Sequence, residues 1–277
     1  GSPVGTPGGP FRKEADPCSI SLDVPGGDGV GEEGVVQPHG DGGVDAKQRT
    51  HAKGVVGGLF DADVAAAQLM AKVLRESPEP VTIIPTGPET NVAALLLAHP
   101  ELKPKIKQIS LMGGGIAYGN WTAAAEFNIL VDPEAAEAVF GSGLPIQMCG
   151  LDVTEKALIF PEDFQRIRAV GNQVSGIVAD WLEFFYRFHR EIGYTGAPLH
   201  DPCAVAALIA PQLFESQELN VQVETAGEYC RGATICDNRG YGESIPNARC
   251  LTGVDREGFV DLLVEAVRRY DGWEAAV

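Results

Sequence analysis

Three short apolar runs, at 81–84 (V-T-I-I), 106–112 (I-K-Q-I-S-L-M) and 145–149 (P-I-Q-M-C), constrain this chain most. Each has the length of a buried strand and each stops at Gly or Pro, the residues that end regular structure. Helical segments lie around them. At 61–74, Val64, Leu69, Val73 and Leu74 recur at helical spacing. Segment 90–99 is rich in Ala and Leu and ends at Pro100, and 132–141 opens on Asp132-Pro133, a cap followed by a first-turn proline. Strand–helix alternation of this kind predicts an α/β fold with an open, mostly parallel sheet and helices on both faces.

Further along, 161–170 and 174–192 read as helices. The second carries Trp181, Phe184, Phe185, Tyr186 and Phe188, which suit a core-facing stripe. A helix over 202–210 follows His200-Asp201, where Asp201 suits a cap. Alternation at 219–224 and 233–236 predicts antiparallel strands, and 255–270 predicts a closing helix. The first 60 residues differ: they hold 15 of the 34 glycines, 6 of the 19 prolines and two aromatics, Phe11 and Phe60. The expected organisation is an irregular Gly/Pro-rich region over 1–60 and one α/β domain over 61–277.

Charge and cysteine bound the function. Lys and Arg total 21 against 38 Asp and Glu, a formal charge of −17, which repels a nucleic-acid backbone. No run of about 18 apolar residues is present to span a membrane. No basic segment followed by an apolar stretch opens the chain, so a cytoplasmic location is expected. The six cysteines form no C-x-x-C pair and do not suggest a zinc site. Cys149 and Cys203 lie in apolar runs and read as core residues. Cys230 and Cys236 could face each other near a hairpin, with reduced thiols the simpler reading.

Ligands of open α/β sheets bind beyond the carboxyl ends of the strands. Three such ends carry polar or glycine clusters: P-T-G-P-E-T-N at 85–91, M-G-G-G at 112–115 and G-L-D-V-T at 150–154. N-W-T-A-A-A-E-F-N at 120–128 follows the second, and L-H-D-P at 199–202 opens a helix. Asn120, Glu126 and Asn128 combine amides with a carboxylate and have no basic partner. Such a set suits a neutral polyol, because each sugar hydroxyl both donates and accepts. Asp201 and the Thr86 carbonyl are the oxygen types a hard cation takes.

These five segments, in this order, resemble the inosine–uridine-preferring nucleoside hydrolases from about residue 81 to 270. The resemblance implies a nucleoside N-ribohydrolase that cleaves the N-glycosidic bond of a ribonucleoside to ribose and free base. It implies Ca²⁺ as cofactor, with the Thr86 carbonyl and the Asp201 carboxylate among its ligands. Met112, Asn120, Glu126 and Asn128 would hold the ribose, and His200 would stand near the base and help protonate it. H-G-D-G-G-V-D at 39–45 matches a family loop, which adds His39 on the base side. A homodimer or homotetramer is implied as well.

One departure stands beside the resemblance. The family opens on a strand leading to D-x-D-P-G-x-D-D, which binds most of the Ca²⁺ and supplies the base that activates water. The nearest string here, L-D-V-P-G-G-D-G at 22–29, keeps Pro25, Gly26 and Asp28 but has Val24 and Gly29 at carboxylate positions. Asp28 is the remaining candidate base. Weak Ca²⁺ affinity and slow turnover are therefore expected. The alternative is a truncated or divergent member that binds ribose or a nucleoside without turnover. A dehydrogenase is not supported, because M-G-G-G does not fit the G-x-G-x-x-G turn.

Overall fold

The structure, a computed structural model, describes residues 66–240, 242 and 244–272. Its first helix, α1 (Ala66–Glu76), occupies the described part of the helix expected at 61–74. β1 (Val81–Ile83), α2 (Thr90–Ala98), β2 (Ile106–Met112), α3 (Phe127–Val131), α4 (Pro133–Phe140) and β3 (Ile146–Cys149) follow. Asp132 caps α4 as expected, accepting a hydrogen bond from the Ala135 N–H at 3.1 Å.

The remaining elements are α5 (Leu151–Thr154), β4 (Leu158–Ile159), α6 (Pro161–Arg168), α7 (Gln173–Glu191), β5 (Ala197–Pro198), α8 (His200–Ile209), β6 (Phe214–Leu219), β7 (Val221–Val223), β8 (Thr234–Cys236), β9 (Ala248–Val254) and α9 (Arg256–Arg268). The main sheet has the order β1-β2-β3-β9-β6. Its first four strands are mutually parallel, and β6 runs antiparallel to β9. β7 and β8 form a separate antiparallel pair, with Val221 opposite Cys236. The expectation of an open, mostly parallel sheet holds.

Period-two alternation divides the core between the two faces of the sheet. Ile109 and Leu111 of β2, Met148 of β3, and Ala248 and Cys250 of β9 join one cluster, with Leu74, Leu95 and Val139 from the covering helices. Met112, Cys149 and Leu251 point the other way, into a cluster with Ile167, Cys203 and Phe259. On this second face the Ser110 hydroxyl donates to the Ala204 carbonyl at 2.8 Å, and the Gln147 amide donates to Ser110 at 2.9 Å. These bonds seat α8 across the middle of the sheet.

Three expectations need correction. β6 and β9 stand in regions with no strand expectation at 214–218 and 248–254, yet β9 lies inside the sheet. On α7, Trp181 and Phe184 are each 69% exposed, so the aromatic cluster is not one core stripe. Only one side of the helix can meet the core, and Phe185 and Tyr186 occupy it. Asp201 does not cap α8: the helix begins at His200 with Leu199 as N-cap and no side-chain cap bond. Asp201 thus sits in the first turn, where its charge still complements the helix N-terminus.

Leu111 is fully buried in β2, whereas Leu97 is 74% exposed. Leu111→Ala is expected to cost about 2–5 kcal/mol and Leu97→Ala less than about 0.5 kcal/mol. Urea unfolding of the two variants compares them directly.

Candidate active site

β1, β2, β3 and β9 run parallel, so their carboxyl ends open on one edge of the sheet. The segment 85–91 leaves β1 there, 113–115 leaves β2, and Gly150 leaves β3. α8 packs back across the sheet and brings its N-terminus, His200-Asp201, to the same edge.

The turn after β2 is tightly held. Gly114 has a φ of +76°, and a β-carbon there would stand 2.9 Å from the Thr234 methyl. Its N–H donates to Glu126 Oε2 at 3.0 Å. Its carbonyl accepts from the Leu151 N–H at 2.9 Å, and a β-carbon on Gly150 would come within 2.8 Å of that same oxygen. Ile116 N–H donates to Asp152. From β8, the Thr234 hydroxyl accepts from the Gly115 N–H at 2.9 Å and donates to the Gly115 carbonyl at 2.6 Å.

Glu126 and Asn128 close over this turn. Glu126 is 3% exposed and caps α3, accepting from the N–H groups of Asn128 (2.9 Å) and Ile129 (3.2 Å) as well as Gly114. Burial pushes its carboxyl above the usual range against those three bonds, and the charge of Asp201 adds to the rise. The Asn128 amide donates to the Met112 carbonyl at 3.0 Å, touches Met112 Sδ at 3.3 Å and reaches the Thr86 carbonyl at 3.5 Å. Four expected residues therefore meet, Thr86, Met112, Glu126 and Asn128, and Asp201 lies near enough for its charge to act on Glu126.

The others divide. His200 pairs through Nδ1 with the Thr154 hydroxyl at 2.8 Å, which anchors one side of its ring on G-L-D-V-T. Asn120 is exposed and accepts from the Phe127 N–H at 3.0 Å, an organising contact within its own loop. Asp28 and His39 lie outside the described residues. Tyr186 packs on Phe164 with ring centroids 5.6 Å apart. The Tyr194 hydroxyl donates to Glu155 at 3.1 Å, and the Tyr118 hydroxyl donates to the same carboxylate at 2.8 Å. One acidic residue thus bridges two loops beside Thr154 and His200.

Asp201 and the Thr86 carbonyl are suitable donors for a hard cation, and burial raises the Asp201 carboxyl above its ordinary value. Two oxygens fall short of the six to eight that Ca²⁺ takes. Among the described residues no group of three or more His, Cys, Asp or Glu is placed to hold a metal. The described donors therefore do not by themselves make a Ca²⁺ site.

Sequence reading missed Glu89 and Thr234. Glu89 stands inside P-T-G-P-E-T-N, fully buried, and neither carboxyl oxygen has a hydrogen-bond partner. Burial first, then the nearby Glu126 charge, pushes its pKa up to about 8. A charged residue at the start of an apolar helix was the visible signal. Thr234 carried none, because it acts on Gly115 from 119 residues away.

A parallel α/β sheet with a polar site beyond its strand ends is one of the broad classes of small-molecule enzyme. The comparisons narrow it. The profile of the inosine-uridine preferring nucleoside hydrolases matches residues 14–261. The pyrimidine-specific ribonucleoside hydrolase RihA of Salmonella newport is 57% identical over 210 residues, covering 75% of this chain and 68% of that protein. RihA of Escherichia coli K12 is 57% identical over 207 residues, covering 74% and 67%. Among solved structures, the purine-preferring ribonucleoside hydrolase of Gardnerella vaginalis superposes with a TM-score of 0.68 at 32% identity, covering 75% of this chain and 66% of its own. This chain belongs to the inosine-uridine preferring nucleoside hydrolase family. It spans about two thirds of the length of the relatives it matches.

Two measurements test this arrangement. Glu89 binds its proton more tightly folded than unfolded, so its contribution to stability is present below pH 4.5 and is lost as pH rises towards about 8. Glu89→Gln should flatten the fall in the urea midpoint between pH 5 and pH 8 and exceed the parent at the upper end. An unchanged slope would contradict the buried carboxyl. Thr234→Val leaves both backbone groups of Gly115 unpaired and should cost roughly 1–3 kcal/mol, while Thr234→Ser keeps the hydroxyl and most of the stability.

Proposed function

We propose that the chain acts as a nucleoside N-ribohydrolase, with pyrimidine ribonucleosides as the substrate class. The observation that carries this is the convergence of Thr86, Met112, Glu126 and Asn128 at the carboxyl edge of the sheet, with the Asp201 charge acting on Glu126. The RihA relatives, pyrimidine-specific by name, support the choice of substrate class. Hydrolysis breaks the bond between C1′ and the base nitrogen. Water supplies the new oxygen at C1′ and the base leaves with a proton.

In this reading Asn128 and Glu126 hold ribose hydroxyls over the Met112 side chain, with Asn120 at the rim. Glu126 keeps its place because backbone N–H groups fix it, so the sugar meets a preorganised acceptor. His200, anchored by Thr154, stands on the base side and hands a proton to the departing nitrogen. His39 and Asp28 belong to the proposal from the sequence, on the base side and as base for water. The cation of the proposal is Ca²⁺, with the Thr86 carbonyl and the Asp201 carboxylate as two of its ligands; when bound it would lower the pKa of a coordinated water. A cytoplasmic, reducing setting suits the five described cysteines, which are all free thiols.

A second reading has its own observation. Val24 and Gly29 replace carboxylates in the segment 22–29, which favours a member that binds ribose or nucleoside without releasing base. The test is free uracil from uridine, read by chromatography, with calorimetry for binding. The hydrolase reading expects slow base release that a chelator abolishes. It also expects Glu126→Ala to fall by about tenfold or more, the equivalent of about 1.4 kcal/mol, against an unchanged Glu101→Ala control. Binding without base release selects the second reading. Neither binding nor release rejects both.

A further inference from the structure

A second polar cluster lies at the amino ends of β3 and β9, the edge of the sheet away from the candidate active site. A cavity of about 560 Å³ opens there, within the range that holds small molecules. Strand register builds its polar wall. Ser110 of β2 stands opposite Gln147 of β3, Gln147 opposite Arg249 of β9, and Arg249 opposite Glu218 of β6. Residues in register point to the same face of a sheet, so one polar row crosses four strands. Gln147, Arg249 and Glu218 of that row line the cavity, together with Gln108, two residues before Ser110 on the same face of β2.

The protein leaves part of this wall's bonding capacity unused. Arg249 is half-buried and its Nε donates to Ser216 Oγ at 2.9 Å, but among the described residues no carboxylate pairs with its two terminal nitrogens. The half-buried Gln108 amide has no hydrogen-bond partner among the described residues. Gln147 is 5% exposed; its amide nitrogen donates to Ser110 at 2.9 Å, which leaves its oxygen for a donor. Asn247, on the same wall, is by contrast fully used: it accepts from the Val221 N–H and donates to the Val221 and Phe140 carbonyls. Leu144, Pro145 and Pro246 supply an apolar side.

We propose that this cavity is a second binding site, for a small phosphorylated sugar. The terminal nitrogens of Arg249 form the planar fork that takes a phosphate by two parallel hydrogen bonds. Gln108 both donates and accepts and the Gln147 oxygen accepts, so the amides suit sugar hydroxyls. Glu218 is exposed at the rim, where its carboxylate can accept from a hydroxyl but opposes the phosphate charge. A neutral sugar leaves the guanidinium unanswered, and a bare phosphate leaves the amides and most of the volume unfilled. In a chain of formal charge −17, a half-buried arginine with no carboxylate bonded to it is the local exception that an anion requires.

The experiment needs no turnover and no metal, so its outcome is separate from that of the hydrolase reading. The full chain is titrated by calorimetry with ribose 5-phosphate and with inorganic phosphate, at low and at high salt. Ribose 5-phosphate is expected to bind saturably at one site, about tenfold or more tighter than inorganic phosphate, and to weaken as salt rises. Arg249→Gln should lower its affinity by about tenfold or more, and Glu218→Gln should raise it. A general loss of structure cannot produce those opposite signs, and the exposed Glu218 variant decides alone if Arg249→Gln does not fold. Inorganic phosphate that binds as tightly as ribose 5-phosphate would mean a bare oxyanion site and overturn the proposal. So would the lack of saturable binding, an Arg249→Gln chain that binds like the parent, or a Glu218→Gln chain that binds no more tightly.

Discussion

The buried Glu126 carboxylate joins two backbone segments that neither strand pairing nor helix formation would bring together. It accepts one N–H from the glycine turn after β2 and two from the first turn of α3. A carboxylate so deeply buried is costly unless its lone pairs are used, and here three amides use them. Asn128, Met112 and the Thr86 carbonyl take their places around it. Both the fold of the loop and the polarity of the site therefore depend on one charged group.

Glu89 shows the opposite arrangement. It is buried as deeply, close enough to Glu126 to feel its charge, and has no donor at either oxygen. The protein resolves the conflict by favouring the protonated form of Glu89, which removes one of two like charges from the buried region. Two carboxyl groups in one buried region thus differ because amides reach one and not the other.

Local physics made much of the fold legible. The runs at 81–84, 106–112 and 145–149 are mostly apolar, and Asp132 and Asp255 stand at helix starts that their side chains cap. β6 and β9 were opaque for definite reasons. F-E-S-Q-E-L exposes four successive residues at the sheet's edge, and A-R-C-L-T-G-V interrupts its apolar pattern with Arg249 and Gly253. The same limit applies to the site. Thr86, Met112 and Asn128 adjoin strand ends or lie in one loop, so their association could be read from spacing. The hold of Thr234 on Gly115 exists only because distant segments meet, and nothing near either residue in the chain announces it.

The grip of Thr234 on Gly115 also has a consequence in time. The glycine turn is synthesised long before its holder, which follows 119 positions later. While a ribosome makes the chain, β2, α3 and β3 can assemble early through nearby contacts, but the turn between them cannot take its final shape until the β7–β8 hairpin has emerged and docked. The polar surface at this edge of the sheet is therefore finished only when that hairpin arrives, and a chain interrupted before it would carry most of the site's residues in an unfinished setting.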